Sequence, residues 1–238
     1  MDVNKISALT TPIEFDRGDF LSVLSLSMGT VIARQNKFGE LIVRKSSWKV
    51  NVGKRSIKFG KYKFGIGLIG TESRYSDTWL WGWAHNENGF PENFSEPSDN
   101  VKRLLPNCPE VNNAQFDLDE LHTGHNLSMV TVGAADKNVC YYRCPYDGGA
   151  MFVQVEGLPE EVFEPLTLTD ILHQQIDIIS SCHCSHKLLA AGMLHQNGYK
   201  FTDNGNNITS EFNGQVLRID FENCGDFERT SNISLNHI

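Results

Sequence analysis

The sequence predicts an α+β fold in which a long N-terminal helix packs on a curled antiparallel β-sheet, a meander, and the C-terminal part adds a helix pair and a β-hairpin. Three observations support this prediction: a helical repeat of apolar residues after Asp19, short alternating segments separated by glycine turns from residue 48 onward, and a return to helical spacing after Pro165. The chain of 238 residues is 40% hydrophobic and 21% charged, as is usual for a globular protein.

The first helix begins at one of two aspartates. Asp16 or Asp19 can serve as the N-cap, because a carboxylate there accepts hydrogen bonds from the first helical N–H groups. Gly39 is a natural stop. Between them, apolar side chains recur at helical spacing, at Phe20, Leu21, Leu24, Met28, Val31 and Ile32.

A series of strands follows this helix. Apolar and polar residues alternate over 48–52, 57–59 and 62–68, and the turns fall at Gly53-Lys54 and Gly60-Lys61. The strand that contains three of the four tryptophans closes the series. A helix followed by four such strands predicts a sheet that curls around the helix and has a lysine-rich outer face.

The tryptophan strand is the most distinctive stretch of the chain. Trp79, Trp81 and Trp83 have the two-residue spacing that puts side chains on one face of a strand. They are either core residues of the sheet or the aromatic wall of a pocket. In the second case the polar rim of the pocket would be formed by His85 and Asn86.

This strand, Thr78 to Asn86, resembles the signature of a bacterial protein family of unknown function with a TW-W-WAN-like motif. Residues 68–73 and 141–145 extend the resemblance to roughly residues 20–155. Gly82 and His85 depart from the pattern. The resemblance implies a bacterial, intracellular domain of a helix and an antiparallel sheet, and it implies no activity.

The remainder of the chain alternates between loops and short elements. Residues 86–115 read as a loop with a helical turn near 98–105, a helix is expected at about 117–131, and a hairpin joins 139–144 to 150–156. We divide the chain into a domain at 1–160 and a C-terminal part at 161–238, which is either a subdomain or an extension of the main sheet. In that part, helices start near Thr167 or Thr169 and at Ser185, the first with a stripe at Leu168, Leu172, Ile176 and Ile179, and Asn213-Gly214 marks the hairpin.

Composition also bounds the location. No apolar run approaches the roughly 20 residues that span a bilayer, and residues 1–15 lack the features of a signal peptide. We therefore expect a cytoplasmic protein without a membrane association, in which the six cysteines are free thiols.

The net charge of −8 is distributed unevenly. Residues 41–71 contain no Asp or Glu but eight Lys and Arg, so the sheet face at 44–63 could hold an anionic ligand. Lysines also occupy solvated strands and protect sheet edges, which is the alternative interpretation.

Two clusters contain residue types that bind metals. Cys182, Cys184 and His186 lie close together in the sequence, and His122 and His125 form a second pair. Neither spacing matches a zinc motif, because no second Cys pair follows Cys184 and no Glu lies between the two histidines. We predict no metal and no cofactor.

No catalytic motif is convincing. Gly65, Gly67 and Gly70 match the G-x-G-x-x-G spacing, but a strand follows them where dinucleotide binding requires a helix. The favoured hypothesis is a module that binds another protein or a ligand, of an immunity or regulatory type. The alternative is an enzyme with a pocket at the end of the tryptophan strand, in which His85 acts with Asp77 in acid–base catalysis.

Overall fold

A computed structural model describes residues 5–85, 90–224 and 227–237. Within these ranges the α-helices are α1 (Phe20–Phe38), α2 (Glu96–Leu104), α3 (Pro109–Asn112), α4 (Gly124–Ala134), α5 (Leu168–Ser181) and α6 (His186–Gln196). The strands are β1 (Trp48–Asn51), β2 (Ser56–Phe59), β3 (Tyr62–Ser73), β4 (Thr78–Trp81), β5 (Gln115–Asp117), β6 (Cys140–Tyr146), β7 (Gly149–Glu156), β8 (Thr202–Asp203), β9 (Asn207–Phe212), β10 (Gln215–Cys224) and β11 (Phe227–His237).

The strands form two antiparallel sheets, which confirms the α+β class. The larger sheet has seven strands in the order β1-β2-β3-β4-β5, with β7 also paired to β3 and β6 paired to β7. The smaller sheet has the order β11-β10-β9-β8. The meander from β1 to β4 was predicted from the sequence, whereas the pairing of β7 with β3 was not, because it joins segments about 80 residues apart in the chain.

Helix α1 begins as predicted. The Asp19 carboxylate accepts a hydrogen bond of 2.9 Å from the backbone N–H of Ser22. Gly39 does not end the helical path, because its φ of −58° and ψ of −48° are helical and one π-helical turn follows at Gly39–Val43. None of the helices in the described part of the chain is long and apolar enough to cross a bilayer.

The large sheet curls because β3 is long and is paired on both sides. Gly65 lies opposite Ser56 of β2 on one side and Glu156 of β7 on the other. The strands β1, β2, β3, β7 and β6 bend into a half-barrel. Its two ends meet through aromatic side chains, because the ring centroid of Tyr142 on β6 lies 5.8 Å from Trp48 and 4.8 Å from Phe59.

Each face of the half-barrel packs against a separate apolar cluster. The convex face at Phe152 and Ile69 packs against α1 and α4, and the concave face encloses a second apolar cluster that includes Phe59 and Val153. Residues 90–95 dock beside β3, where Phe94 is buried and its carbonyl accepts a hydrogen bond of 2.6 Å from Leu68 N–H. Gly67 permits this docking, because a Cβ there would lie 2.6 Å from Pro97 Cγ, and Gly70 leaves room for the Trp79 ring.

The C-terminal part packs on the same core as the rest of the chain. One buried cluster includes Leu24 of α1, Leu194 of α6 and Ile219 of β10. The helices begin at the predicted caps, Thr167 with a capping box and Ser185. Residues across the 160/161 boundary thus share one hydrophobic cluster, with α1 in direct contact with α6.

Two details of this part differ from the prediction. The buried face of α5 is formed by Leu168, Ile171, Gln175 and Ile178, whereas Ile176 is 44% exposed. A glutamine fits this face because Gln175 Nε2 donates a hydrogen bond of 2.9 Å to the His186 carbonyl. The predicted hairpin at Asn213-Gly214 is present and extends into four strands, because β8 and the long strand β11 flank it.

Candidate functional site

A pocket of about 370 Å³ lies where the half-barrel opens, and we call it the mouth pocket. Its floor is a row of three side chains on neighbouring strands, since Met151 of β7 lies opposite Thr71 of β3 and Cys144 of β6. The described residues that line it are Trp48, Val50, Thr71, His85, Phe90, Cys144, Pro145, Tyr146 and Met151.

The wall of the mouth pocket comes from β1 and from the segments that follow β4. Trp48 and Val50 alternate with exposed Lys49, so both project from the concave face of β1. His85 follows β4, and its ring centroid lies 5.7 Å from that of Phe90. Trp48, Val50 and Phe90 pack on the concave cluster while staying partly exposed, so the pocket is the open end of that core.

Among the described residues, the lining of the mouth pocket is polar at only a few atoms and carries no Asp, Glu, Lys or Arg. His85 Nε2 lies 3.2 Å from Thr71 Oγ1, which fixes one ring nitrogen against the floor. Burial raises the pKa of the Cys144 thiol to about 12, so this group is neutral at physiological pH. The described lining residues therefore offer hydrogen bonds without a fixed charge.

Trp79, Trp81 and Trp83 do not form the wall of this pocket. Trp79 and Trp81 are both 0% exposed and meet edge to face at 5.4 Å in the convex core, where Trp81 Nε1 donates to the Glu110 carbonyl at 2.8 Å. Trp83 is not on the strand at all, because β4 ends at Trp81 and a 3-10 turn follows. The Trp83 ring instead lies 3.2 Å below Lys102 Nζ.

The proposed catalytic pair is separated by β4. Asp77 immediately precedes this strand and His85 follows the 3-10 turn after it, so the four residues of β4 alone put about 13 Å between them. Asp77 has a φ of +49° in the β3–β4 turn and is exposed. Asn86, the second rim candidate, lies outside the described residues.

His122 is held by two carboxylates. Its Nδ1 lies 2.9 Å from Asp119 Oδ2 and its Nε2 lies 3.7 Å from Glu110 Oε1. Hydrogen bonds from the backbone and ring of His122 lower the pKa of Asp119. The ring also packs 5.1 Å from Phe20, so His122 joins the 109–122 segment to the start of α1.

His125 faces a different group. Its Nδ1 lies 3.1 Å from the Tyr141 hydroxyl, beside an ion pair in which Arg143 Nε donates to Glu72 Oε1 at 2.9 Å. Burial, reinforced by the charge of Arg143, lowers the pKa of His125. The neighbouring histidines 122 and 125 therefore have separate partners.

The Cys-His cluster lines a cavity of about 580 Å³ together with Arg229 of β11. His186 Nδ1 accepts a hydrogen bond of 3.0 Å from the Thr230 N–H, and burial raises the pKa of the Cys184 thiol to about 12. In the described part of the chain, no three His, Cys, Asp or Glu side chains come together in an arrangement that could hold a metal ion. The joint site of the cysteine cluster with His122 and His125 is not formed there.

A larger cavity, of about 680 Å³, lies between residues 12–15, the start of α6 and β8. Its basic group is already paired, because Lys187 Nζ lies 3.1 Å from Asp203 Oδ1 and donates to the Gly205 carbonyl at 2.8 Å. This cavity therefore contains an internal ion pair, whereas the mouth pocket exposes apolar side chains to solvent.

The basic segment forms a row on the convex face of the half-barrel, and we call it the lysine row. Lys49 of β1 lies directly opposite Lys58 of β2, and Lys58 lies opposite Lys63 of β3. All three are exposed, and none has a carboxylate within ion-pair distance in the described residues. Like charges at directly opposite positions destabilise a sheet. The need to solvate a strand or protect a sheet edge therefore does not by itself explain three lysines in a row.

Two further basic residues, partly buried Lys5 and buried Arg34 of α1, lie close to each other. Lys5 donates a hydrogen bond to the Val132 carbonyl, and burial together with the nearby Arg34 lowers the pKa of Lys5 to about 7. Arg34 is 7% exposed, and its guanidinium lies 5.8 Å from the Phe163 ring centroid. Burial lowers the pKa of Arg34 as well.

The chain matches the model of one known protein family. A family model described as a family of unknown function, DUF6882, matches residues 21–158, which is more than half of the chain. The chain belongs to this family. The match runs from α1 to the end of β7 and so spans the half-barrel, the mouth pocket and the lysine row, which favours these over the cavities that use C-terminal residues. No curated protein and no solved structure matches the chain.

Sequence reasoning missed most of the mouth pocket, although it identified His85. The alternation of β1 was a usable signal for Trp48 and Val50, since it predicts their common face. No local pattern indicated that Cys144 and Met151 would lie beside Thr71, because that depends on the β3–β7 pairing.

Proposed function

We propose that this family member is a binding module whose mouth pocket takes an uncharged, largely apolar group with one or two hydrogen-bonding atoms. The observation that carries the proposal is the partly exposed apolar lining around about 370 Å³ at the open end of the half-barrel. Ligand pockets typically measure about 300–1,000 Å³, and barrel mouths are among their usual places.

The preference for an uncharged ligand follows from the lining. An ion that enters a site without a counter-charge loses favourable hydration free energy without a compensating interaction, whereas the transfer of an apolar group out of water is favourable. His85 and Thr71 supply the hydrogen-bonding atoms that would orient such a group. An aromatic ring with a single hydroxyl or N–H group fits this combination.

The alternative remains an enzyme in which His85 acts as the acid or base. Acid–base catalysis by histidine usually needs a second group that orients or assists it. Among the described lining residues, the other titratable groups are Cys144 and Tyr146, and the raised pKa of Cys144 keeps that thiol protonated. A protonated thiol is a poor nucleophile, which supports binding over nucleophilic catalysis by Cys144.

The experiment pairs neutral aromatic fragments with charged analogues, such as indole with indole-3-carboxylate and phenol with benzoate. Binding is measured by saturation-transfer NMR and by the change in tryptophan fluorescence. The variant Val50→Trp fills the pocket from β1, and Lys49→Trp is its matched control, because it adds the same side chain to the same strand on the opposite face.

We expect neutral fragments to bind the natural chain and Lys49→Trp, and to bind Val50→Trp at least tenfold more weakly. Binding to all three proteins with equal affinity would place the ligand elsewhere, and a preference for carboxylates would contradict the argument from charge. Turnover of a bound fragment that His85→Phe abolishes, while the fold and binding persist, would favour the enzyme.

A second surface supports the protein-binding side of the hypothesis. The lysine row puts three cations over two strand spacings, about 10 Å, and this favours an acidic face of another protein. An acidic protein fits better than single-stranded nucleic acid, because the three positions of this row are lysines and offer no aromatic ring for base stacking. A regulatory or immunity role would act through such a partner.

This second proposal is tested with poly-glutamate and with a single-stranded oligonucleotide as probes. Replacing Lys49, Lys58 and Lys63 by Gln should remove poly-glutamate binding at low salt, whereas the same change at Lys54, Lys61 and Lys200 should leave it nearly intact. Stronger binding of the oligonucleotide would replace the protein partner with nucleic acid. An equal loss of poly-glutamate binding in both triple variants would show that binding depends on the total positive charge and not on the lysine row.

A further inference from the structure

The sheet edges of this protein are protected to very different degrees. Natural proteins shield exposed edges by short strands, lysine, proline or covering side chains, because free backbone groups recruit other strands. In the large sheet, β1 has four residues with Lys49 outward, and β6 carries Pro145. The β6 edge is also capped by Gln35, which exchanges two hydrogen bonds of 3.0 Å with the backbone of Tyr141.

The small sheet has one short and one long edge. β8 consists of two residues, whereas β11 runs for eleven. The start of β11 is covered, since Thr230 N–H donates to His186 Nδ1 at 3.0 Å. From Ser231 to His237, no described residue outside β10 forms a hydrogen bond with the backbone. We call this segment the β11 edge.

The β11 edge lacks the usual protective residues. Residues 230–237 contain no Lys, Arg, Asp, Glu or Pro. Ile233 and Leu235 pack partly on the core, and both stay incompletely buried at the rim. The edge therefore carries no Lys, Arg, Asp or Glu side chain and is partly apolar, and both properties favour pairing with another strand.

We propose that the β11 edge pairs antiparallel with the same segment of a second copy of this chain, about a two-fold axis at Ser234. In this register Ile233 faces Leu235 of the copy, and Asn232 faces Asn236 of the copy. Two apolar pairs thus flank the axis with two amide pairs outside them, and no like charges meet. The two small sheets become one continuous sheet of eight strands.

Self-pairing is favoured over an unrelated strand because the segment is complementary to itself. The same operation on β1 would bring Lys49 close to its own copy, which like-charge repulsion opposes. The β11 edge also lies outside the 21–158 family match, so it extends the proposed function without depending on the mouth pocket or the lysine row.

The test measures the mass of the full chain by sedimentation between 1 and 100 μM in reducing buffer. We expect a particle of twice the chain mass of 26.7 kDa as concentration rises. Ser234→Lys puts two like charges at the axis and should shift the midpoint of dimerisation at least tenfold upward in concentration. Thr209→Lys is the matched control, because Thr209 and Ser234 lie on either side of Arg218 in the register.

Hydrogen exchange keeps the test decisive if Ser234→Lys weakens the fold. In the natural chain, amides of residues 231–237 should exchange more slowly at 100 μM than at 1 μM, while β9 amides do not change. A chain that stays monomeric at 100 μM would overturn the proposal. So would a dimer that Ser234→Lys does not affect and that gives no concentration-dependent protection at the β11 edge.

Discussion

Replacing Gly192 with alanine is expected to destabilise the whole protein, because α6 crosses α1 at this residue. A Cβ at Gly192 would lie 2.8 Å from both the carbonyl carbon and the Cα of Leu26, and closer still to its oxygen. Ordinary contacts between carbon atoms are about 3.5–4.0 Å, so the two backbones must separate by roughly 1 Å. These Leu26 atoms belong to the backbone, so no side-chain rotation can relieve the clash.

The expected magnitude combines two opposing terms. Overpacking in a core costs about 1–3 kcal/mol, and a backbone clash belongs at the upper end. Alanine in a helix interior recovers about 1 kcal/mol relative to glycine. The net loss is about 2 kcal/mol, which corresponds to a fall in Tm of about 4–8 °C for a chain of this size.

Gly39→Ala is the matched control. Gly39 has a helical φ of −58°, and nothing lies within 4 Å of an added Cβ. This variant should gain about 0.4–1 kcal/mol and raise the Tm by about 1–4 °C.

Scanning calorimetry in reducing buffer measures both variants. Because the described residues on both sides of 160/161 share one hydrophobic cluster, Gly192→Ala should shift a single transition. A Tm that rises in Gly192→Ala as in Gly39→Ala would refute the close approach of the helices. Two separate transitions would show that residues 161–238 form an independent domain.

Three further predictions concern single interactions. The pKa of Lys5 is lowered to about 7 in the folded state, against about 10.4 in the unfolded state. Between about pH 7 and pH 10 the unfolded state therefore binds more protons than the folded state. The free energy of unfolding rises with pH in this range because of Lys5, by up to about 1.4 kcal/mol per pH unit. Lys5→Met should remove that rise, and urea unfolding at pH 7 and pH 9 should then show a smaller difference than in the natural chain. Asp19→Ala should cost about 1 kcal/mol through the lost N-cap of α1, an effect that Asp19→Ser should largely rescue in the same unfolding assay. In a double-mutant cycle, Glu72→Gln and Arg143→Gln should show a coupling of about 1.5–3 kcal/mol, and a coupling near zero would mean that solvent screens this half-buried pair.

Local chemistry in the sequence determined the ends and types of many elements. Asp19, Thr167 and Ser185 mark helix starts because each side chain accepts a hydrogen bond from a backbone N–H three residues ahead. Asn213-Gly214 marks the hairpin because both residues adopt a positive φ, at 51° and 75°. These interactions span only a few residues, so composition and spacing are sufficient to predict them.

Tertiary structure decided which residues are buried and which form a site. The tryptophan spacing predicts one ridge, but the strand ends at Trp81; Trp79 and Trp81 are fully buried in the core, whereas Trp83 is only partly buried at its margin. The mouth pocket brings Trp48 to Cys144 only because the sheet curls and β7 inserts between β3 and β6. Such contacts join segments separated by about 80–100 residues, and their free energy depends on the fit of whole sheet faces, which no local pattern in the chain encodes.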